Sequence, residues 1–73
     1  MRERWEIPDD VKRAIVSSGL QKEYDNRPPY QRNDYIGWIT RAKRDVTRQK
    51  RINQMLDELR DGNIYENEME RYT

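Results

Sequence analysis

Between positions 41 and 52 stand Arg41, Lys43, Arg44, Arg48, Lys50 and Arg51, against Asp45 alone. A net charge of +5 over so short a span suits a phosphate-bearing partner, because each guanidinium or ammonium can neutralise one phosphate. Other chemistry is thin. Ser17, Ser18, Thr40 and Thr47 offer hydroxyls, but the chain has no His to serve as a base and no Cys to serve as a thiolate. A lysine base would need a depth of burial that 73 residues can hardly supply. Asp57 and Asp61 at helical spacing, or Glu66, Glu68 and Glu70, could weakly gather Mg²⁺ or Ca²⁺, yet no glycine-bearing loop of the EF-hand type frames them. The sequence therefore assigns no catalytic residue, no cofactor and no metal ligand.

The basic block is local. The whole chain carries only +1, residues 1–40 balance seven bases with seven acids, and residues 53–73 set six acids against Arg60 and Arg71. With 33% hydrophobic and 40% charged residues, a core must come from a few large side chains. No apolar run reaches transmembrane length and no charged-then-apolar start suggests a signal peptide, so a cytoplasmic location and no membrane insertion are expected. A surface this polar predicts a monomer.

The elements that must position these residues are helical. "RERWEIPDD" reads as an extended lead-in, because Pro8 disfavours helical backbone at Ile7. Asp9 and Asp10 suit a first helical turn, Val11, Ala14 and Ile15 follow at helical spacing, and Gly19 is a natural stop, predicting a helix over about 9–18. Leu20 and Tyr24 permit a short second helix, which Pro28 and Pro29 end. Tyr35, Trp38, Ile39 and Ala42 form a narrow apolar stripe in a third helix, about 30–43, that leaves Gly37 facing solvent. Ile52, Met55, Leu56 and Leu59 repeat the pattern in a fourth, about 46–61, with Gly62 as its stop. The expected architecture is all-α: a small orthogonal bundle of three to four helices with an irregular C-terminal tail. Residues 1–7 are the lead-in, 8–62 the helical domain and 63–73 a flexible acidic tail.

Two assignments compete for the basic block. In the first, each charge has a local job. Arg41, Lys43 and Arg44 complement the C-terminal dipole of the third helix, and Asp45, or its rival Thr47, caps the fourth. Arg48 lies on the apolar stripe one turn before Ile52, where its stem could cover Trp38 while its fork finds a carboxylate or the last carbonyls of the third helix. In the second, Lys43, Arg44, Lys50 and Arg51 form a partner-binding patch for phosphates, with salt-dependent, non-specific affinity for DNA or RNA. The fourth helix opposes its own dipole, with cations near its start and Asp57, Glu58 and Asp61 near its end, and such a broken local rule marks a candidate site. The core is expected to comprise Tyr35, Trp38, Ile39, Ala42, Arg48, Ile52, Met55, Leu56 and Leu59. Trp5 either packs under the bundle or contacts another protein, while Tyr24, Tyr30 and Tyr35 close the middle of the core with their hydroxyls at its rim.

"IPDDVKRAI", the mid-chain Tyr24 and "PPYQRNDYIGWITRAKRDVTRQKRINQMLDELRDG" together resemble the YdeI/OmpD-associated family, the bacteriocin-protection proteins. The pattern is carried by Tyr35, Trp38, Ile39, Ala42 and Lys43, then by Thr47, Arg48, Lys50, Arg51 and Ile52, and the likeness spans roughly residues 7–62. Asp45 departs from it, standing where relatives often have Pro, and the tail after Asn63 has no counterpart. The resemblance implies a small helical domain, alone or behind a β-rich domain, linked to outer-membrane protein expression and to protection against bacteriocins or related stress. It brings no catalytic residue and no cofactor. With Met1 a few residues before the domain, the stand-alone form is expected. A protein partner is the leading expectation, with nucleic acid, held through residues 41–51, as the alternative.

Overall fold

A computed structural model describes residues 5–62, so residues 1–4 of the lead-in and the expected tail at 63–73 lie outside the described residues. The order is α1 (Asp9–Ser17), α2 (Gln21–Asn26), α3 (Pro29–Thr40) and α4 (Asp45–Asp61), an all-helical bundle with no strand among the described residues.

Local chemistry sets the breaks. At the end of α1, Gly19 takes a positive φ of 69°, its N–H bonds the Val16 carbonyl, and the Leu20 N–H bonds the Ile15 carbonyl, both at 3.0 Å. This is a Schellman stop, and its customary apolar contact is supplied by Ile15 and Leu20, both buried in the core. Pro28 and Pro29 end α2 and also begin α3: Pro29 occupies the first helical position, where a missing N–H costs nothing. Gly62, at φ 81°, closes α4 with its N–H on the Glu58 carbonyl.

The helix α4 packs against all three others, and α1 also packs on α2. At about 1.5 Å per residue, α4 is roughly 25 Å long, as long as the 26 × 26 × 21 Å described body is wide, so the remaining helices must wrap it rather than extend it. The core joins Val11 and Ile15 of α1, Leu20, Tyr24 of α2, Tyr35, Ile36, Trp38 and Ile39 of α3, and Ile52, Met55 and Leu59 of α4. Leu56 packs partly buried against it, and Ala42 is half-buried in the link.

Three sequence expectations need correction. First, α3 ends at Thr40, three residues short of the expected boundary, because Arg41 caps it. Second, Gly37 does not face solvent: Tyr35, Ile36, Gly37, Trp38 and Ile39 are all buried. The lead-in supplies the cover. Trp5 donates its backbone N–H to Asn33 Oδ1 at 2.8 Å, and its indole lies where a Cβ on Gly37 would fall 2.6 Å from Nε1. The glycine is thus a notch that admits Trp5. Third, Tyr30, in the first turn of α3, is 51% exposed rather than part of the core.

Candidate functional site

The link between α3 and α4 is short and basic. Arg41 continues helical backbone after Thr40, and Arg44 is extended (φ −117°, ψ 144°) as it enters α4. No side chain caps α4: Asp45 lies inside the first turn as an acid facing the helix dipole, and neither it nor Thr47 takes the expected capping bond. The Arg44 carbonyl accepts the first intrahelical bond, from the Arg48 N–H at 2.9 Å.

The arginines divide by what they touch. Arg48 reaches across to α1 and grips Asp10 with two bonds, Nε to Oδ2 at 2.8 Å and Nη2 to Oδ1 at 2.9 Å. The Arg48 guanidinium holds the Asp10 carboxyl below its ordinary range, against a smaller opposing effect of burial, and the pairing raises Arg48 in turn. Asp10 Oδ1 also accepts the Val11 N–H at 2.9 Å, which fixes the carboxylate at the start of α1. The Arg48 fork thus takes a carboxylate, one of the two partners expected for it, while the helix-end carbonyl and the ring of Trp38 are met by Arg51. Its Nη1 donates to the Trp38 carbonyl at 2.6 Å, and its guanidinium sits 5.3 Å from the Trp38 ring centroid. Three residues, just under one turn of α4, separate the two roles.

Lys43, Arg44 and Lys50 behave differently. All three are exposed, and none of their side chains has a hydrogen bond or ion pair among the described residues. Arg41, also exposed, lies 5.6 Å from the ring centroid of Trp5. The expected patch of Lys43, Arg44, Lys50 and Arg51 therefore consists of three uncommitted cations and one that is anchored, with Arg41 beside them. Of the cations set against the α4 dipole, Arg48 and Arg51 are accounted for by Asp10 and Trp38, which leaves Lys50, beside Lys43 and Arg44 of the link.

Sequence reasoning missed a buried polar cluster beneath α4. Arg27, only 9% exposed, donates Nη2 to the Glu58 carbonyl at 2.9 Å and Nη1 to Gln31 Oε1 at 3.2 Å. The Tyr35 hydroxyl donates to Glu58 Oε1, and Gln54 Nε2 donates to Glu58 Oε2 at 2.9 Å. A buried carboxylate needs such donors, because an unpaired charge in a core is strongly unfavourable. The available signal was Glu58 sitting beside Leu59 on the α4 stripe, a position that periodicity alone reads as solvated. Asp57 is held by Arg60 at 3.0 Å on the surface, and no cluster of three or more potential metal ligands occurs among the described residues. No helix among them is long and apolar enough to cross a membrane.

The family described as bacteriocin-protection, YdeI or OmpD-associated matches residues 4–62, most of the chain. No curated protein and no solved structure matches it. The matched span begins just before Trp5 and ends at Gly62, so it takes in the lead-in contact, the basic link and the whole of α4.

Proposed function

Because the chain belongs to the bacteriocin-protection, YdeI or OmpD-associated family, we propose that it serves a protective role by binding a macromolecule, through the basic face of the α3–α4 link. The family's description names protection and association and no reaction, in keeping with a non-enzymatic role. One observation carries the binding reading: Lys43, Arg44 and Lys50 are exposed and without partners among the described residues, while Arg48 and Arg51 nearby are tied to Asp10 and Trp38. Cations whose side chains have no partner among the described residues are available to another molecule. An acidic protein surface in the cytoplasm is the partner this face fits, because Arg41 and Arg44 can each grip a carboxylate with two N–H groups.

The deciding experiment is an amide-resolved NMR titration of the chain with a Glu/Asp-rich peptide, and separately with short mixed-sequence DNA and RNA, at low and physiological salt. The peptide is expected to shift residues 41–50 in a salt-sensitive manner. Lys43→Ala/Arg44→Ala/Lys50→Ala should abolish those shifts without changing the melting temperature. If neither class of polyanion moves these amides, the proposal is wrong. Nucleic acid alone producing the shifts would favour the second reading, and three neutralised phosphates would then give a slope of log K on log salt near about −2.7.

A further inference from the structure

We propose that the acid-bearing segment at residues 63–73 folds back along α4 and occupies the basic face of the α3–α4 link, where it competes with the acidic partner. This gives the binding face a built-in competitor, and it rests on the function proposed above. Lys43, Arg44 and Lys50 are exposed, and their side chains have no partner among the described residues. A fitting occupant stands in the same chain, where Glu66, Glu68 and Glu70 are opposed by Arg71 alone. These acids fall at alternate positions, so extended backbone presents all three carboxylates along one edge.

The lengths match. Counting back from Gly62, where α4 closes, Lys50 lies twelve residues away and Arg44 eighteen. At ~1.5 Å per helical residue these are distances of about 18 Å and 27 Å. Extended chain covers ~3.4 Å per residue, which carries Glu68 about 20 Å and Glu70 about 27 Å from Gly62, level with Lys50 and Arg44. The field along α4 acts in the same sense. Asp61 and the negative end of the helix dipole stand where the segment leaves Gly62 and repel it, while Asp57 is already matched by Arg60. The positive end of the dipole and the three cations stand together at the far end, where Asp45 offsets only one of them. Charges set against the α4 dipole thus gain a use, since they make one end of the helix attract what the other end repels. A tethered segment acts at an effective concentration on the order of millimolar, enough to hold off a weak partner and yield to a strong one.

The test uses the full chain. It has no Cys, so Thr73→Cys carries a single nitroxide, whose broadening of amide signals is read by NMR at low and high salt. Broadening is expected at residues 43–50 at low salt, relieved at high salt, and lost in Glu66→Gln/Glu68→Gln/Glu70→Gln. Without the nitroxide, that triple variant should bind a Glu/Asp-rich peptide several-fold more tightly than wild type. Broadening confined to the C-terminal end of α4, broadening unchanged in the triple variant, or equal peptide affinity of the two proteins would each overturn the proposal. Mixing isotope-labelled chains that lack the nitroxide with unlabelled chains that carry it separates the copies. Equal broadening in that mixture would assign the contact to a second copy and overturn docking within the chain. Failure of the peptide to bind even the triple variant would count against the function proposed above, and the nitroxide then still decides whether the segment docks.

Discussion

Replacing Gly37 by Ala tests the packing of the lead-in against α3. A glycine inside a helix ordinarily loses about 1 kcal/mol relative to Ala, so the substitution alone should stabilise. Here a Cβ would fall 2.6 Å from Trp5 Nε1 and 3.0 Å from its Cδ1, closer than the atoms can sit, and the indole must move out. Trp5 is half-buried, so roughly 100 Å² of apolar surface at ~25 cal/mol per Å² gives about 2.5 kcal/mol of gross stabilisation. The bond to Asn33 adds about 1 kcal/mol, and the Arg41 contact about 0.5–1 kcal/mol. Ordering about two residues of backbone around Trp5, at about 1–2 kcal/mol each, offsets more than half of this and leaves on the order of 1–2 kcal/mol. Gly37→Ala should therefore leave stability unchanged or lower it by about 1 kcal/mol, the propensity gain offsetting part of the lost docking. In a Trp5→Ala background the same substitution should stabilise by about 1 kcal/mol, raising the melting temperature by about 4–8 °C. Urea unfolding of the four proteins in this double-mutant cycle measures the coupling, expected at about 1–2 kcal/mol. Equal stabilisation by Gly37→Ala in both backgrounds would refute the notch, and with it the account of why this helix tolerates a glycine.

Arg48→Ala should lower stability by about 1 kcal/mol at neutral pH, discounted because the Asp10 side chain is 42% exposed, whereas Lys50→Ala should barely move it; thermal melts of the two variants decide. Asp10 is lowered from its ordinary 3.8, so the pair's contribution is fully present above that pH and is lost as pH falls through the depressed folded value. The gap between wild type and Arg48→Ala should accordingly close in acid, and a constant gap down to the end of the titration would show that the arginine acts through packing. Tyr35→Phe removes the hydroxyl that donates to buried Glu58 and should cost about 1–3 kcal/mol in urea unfolding, far more than deleting an exposed phenol.

Part of the candidate site was legible in advance. The crowding of cations at 41–51 is a fact of composition, and the stripe through Trp38 and Ile39 is a fact of spacing. What each arginine touches was not legible. Arg48 finds Asp10 at 38 residues' separation and Arg27 finds the Glu58 carbonyl at 31, contacts set by how α4 lies across the earlier helices. A guanidinium on a long stem can satisfy several partners, so its place on a helical wheel narrows the choice without making it. Glu58 shows the same limit from the other side, since an acid on the edge of an apolar stripe becomes buried only once Tyr35 and Gln54 bring donors to it.

By itself the sequence determined where the chain must turn and what chemistry it lacks. Gly19 and Gly62 supply the positive φ that ends α1 and α4, Pro28 and Pro29 interrupt the ladder, and a chain without His or Cys has neither imidazole nor thiolate to offer. These are local properties, fixed by the covalent geometry and functional group of one residue. Tertiary structure alone decided that Gly37 is buried, that Arg48 finds Asp10 while Arg51 meets Trp38, and that the side chains of Lys43, Arg44 and Lys50 are left without a partner among the described residues. A glycine carries no side chain to mark its face, and an ion pair between helices exists only at the crossing angle that brings both ends within about 3 Å of each other.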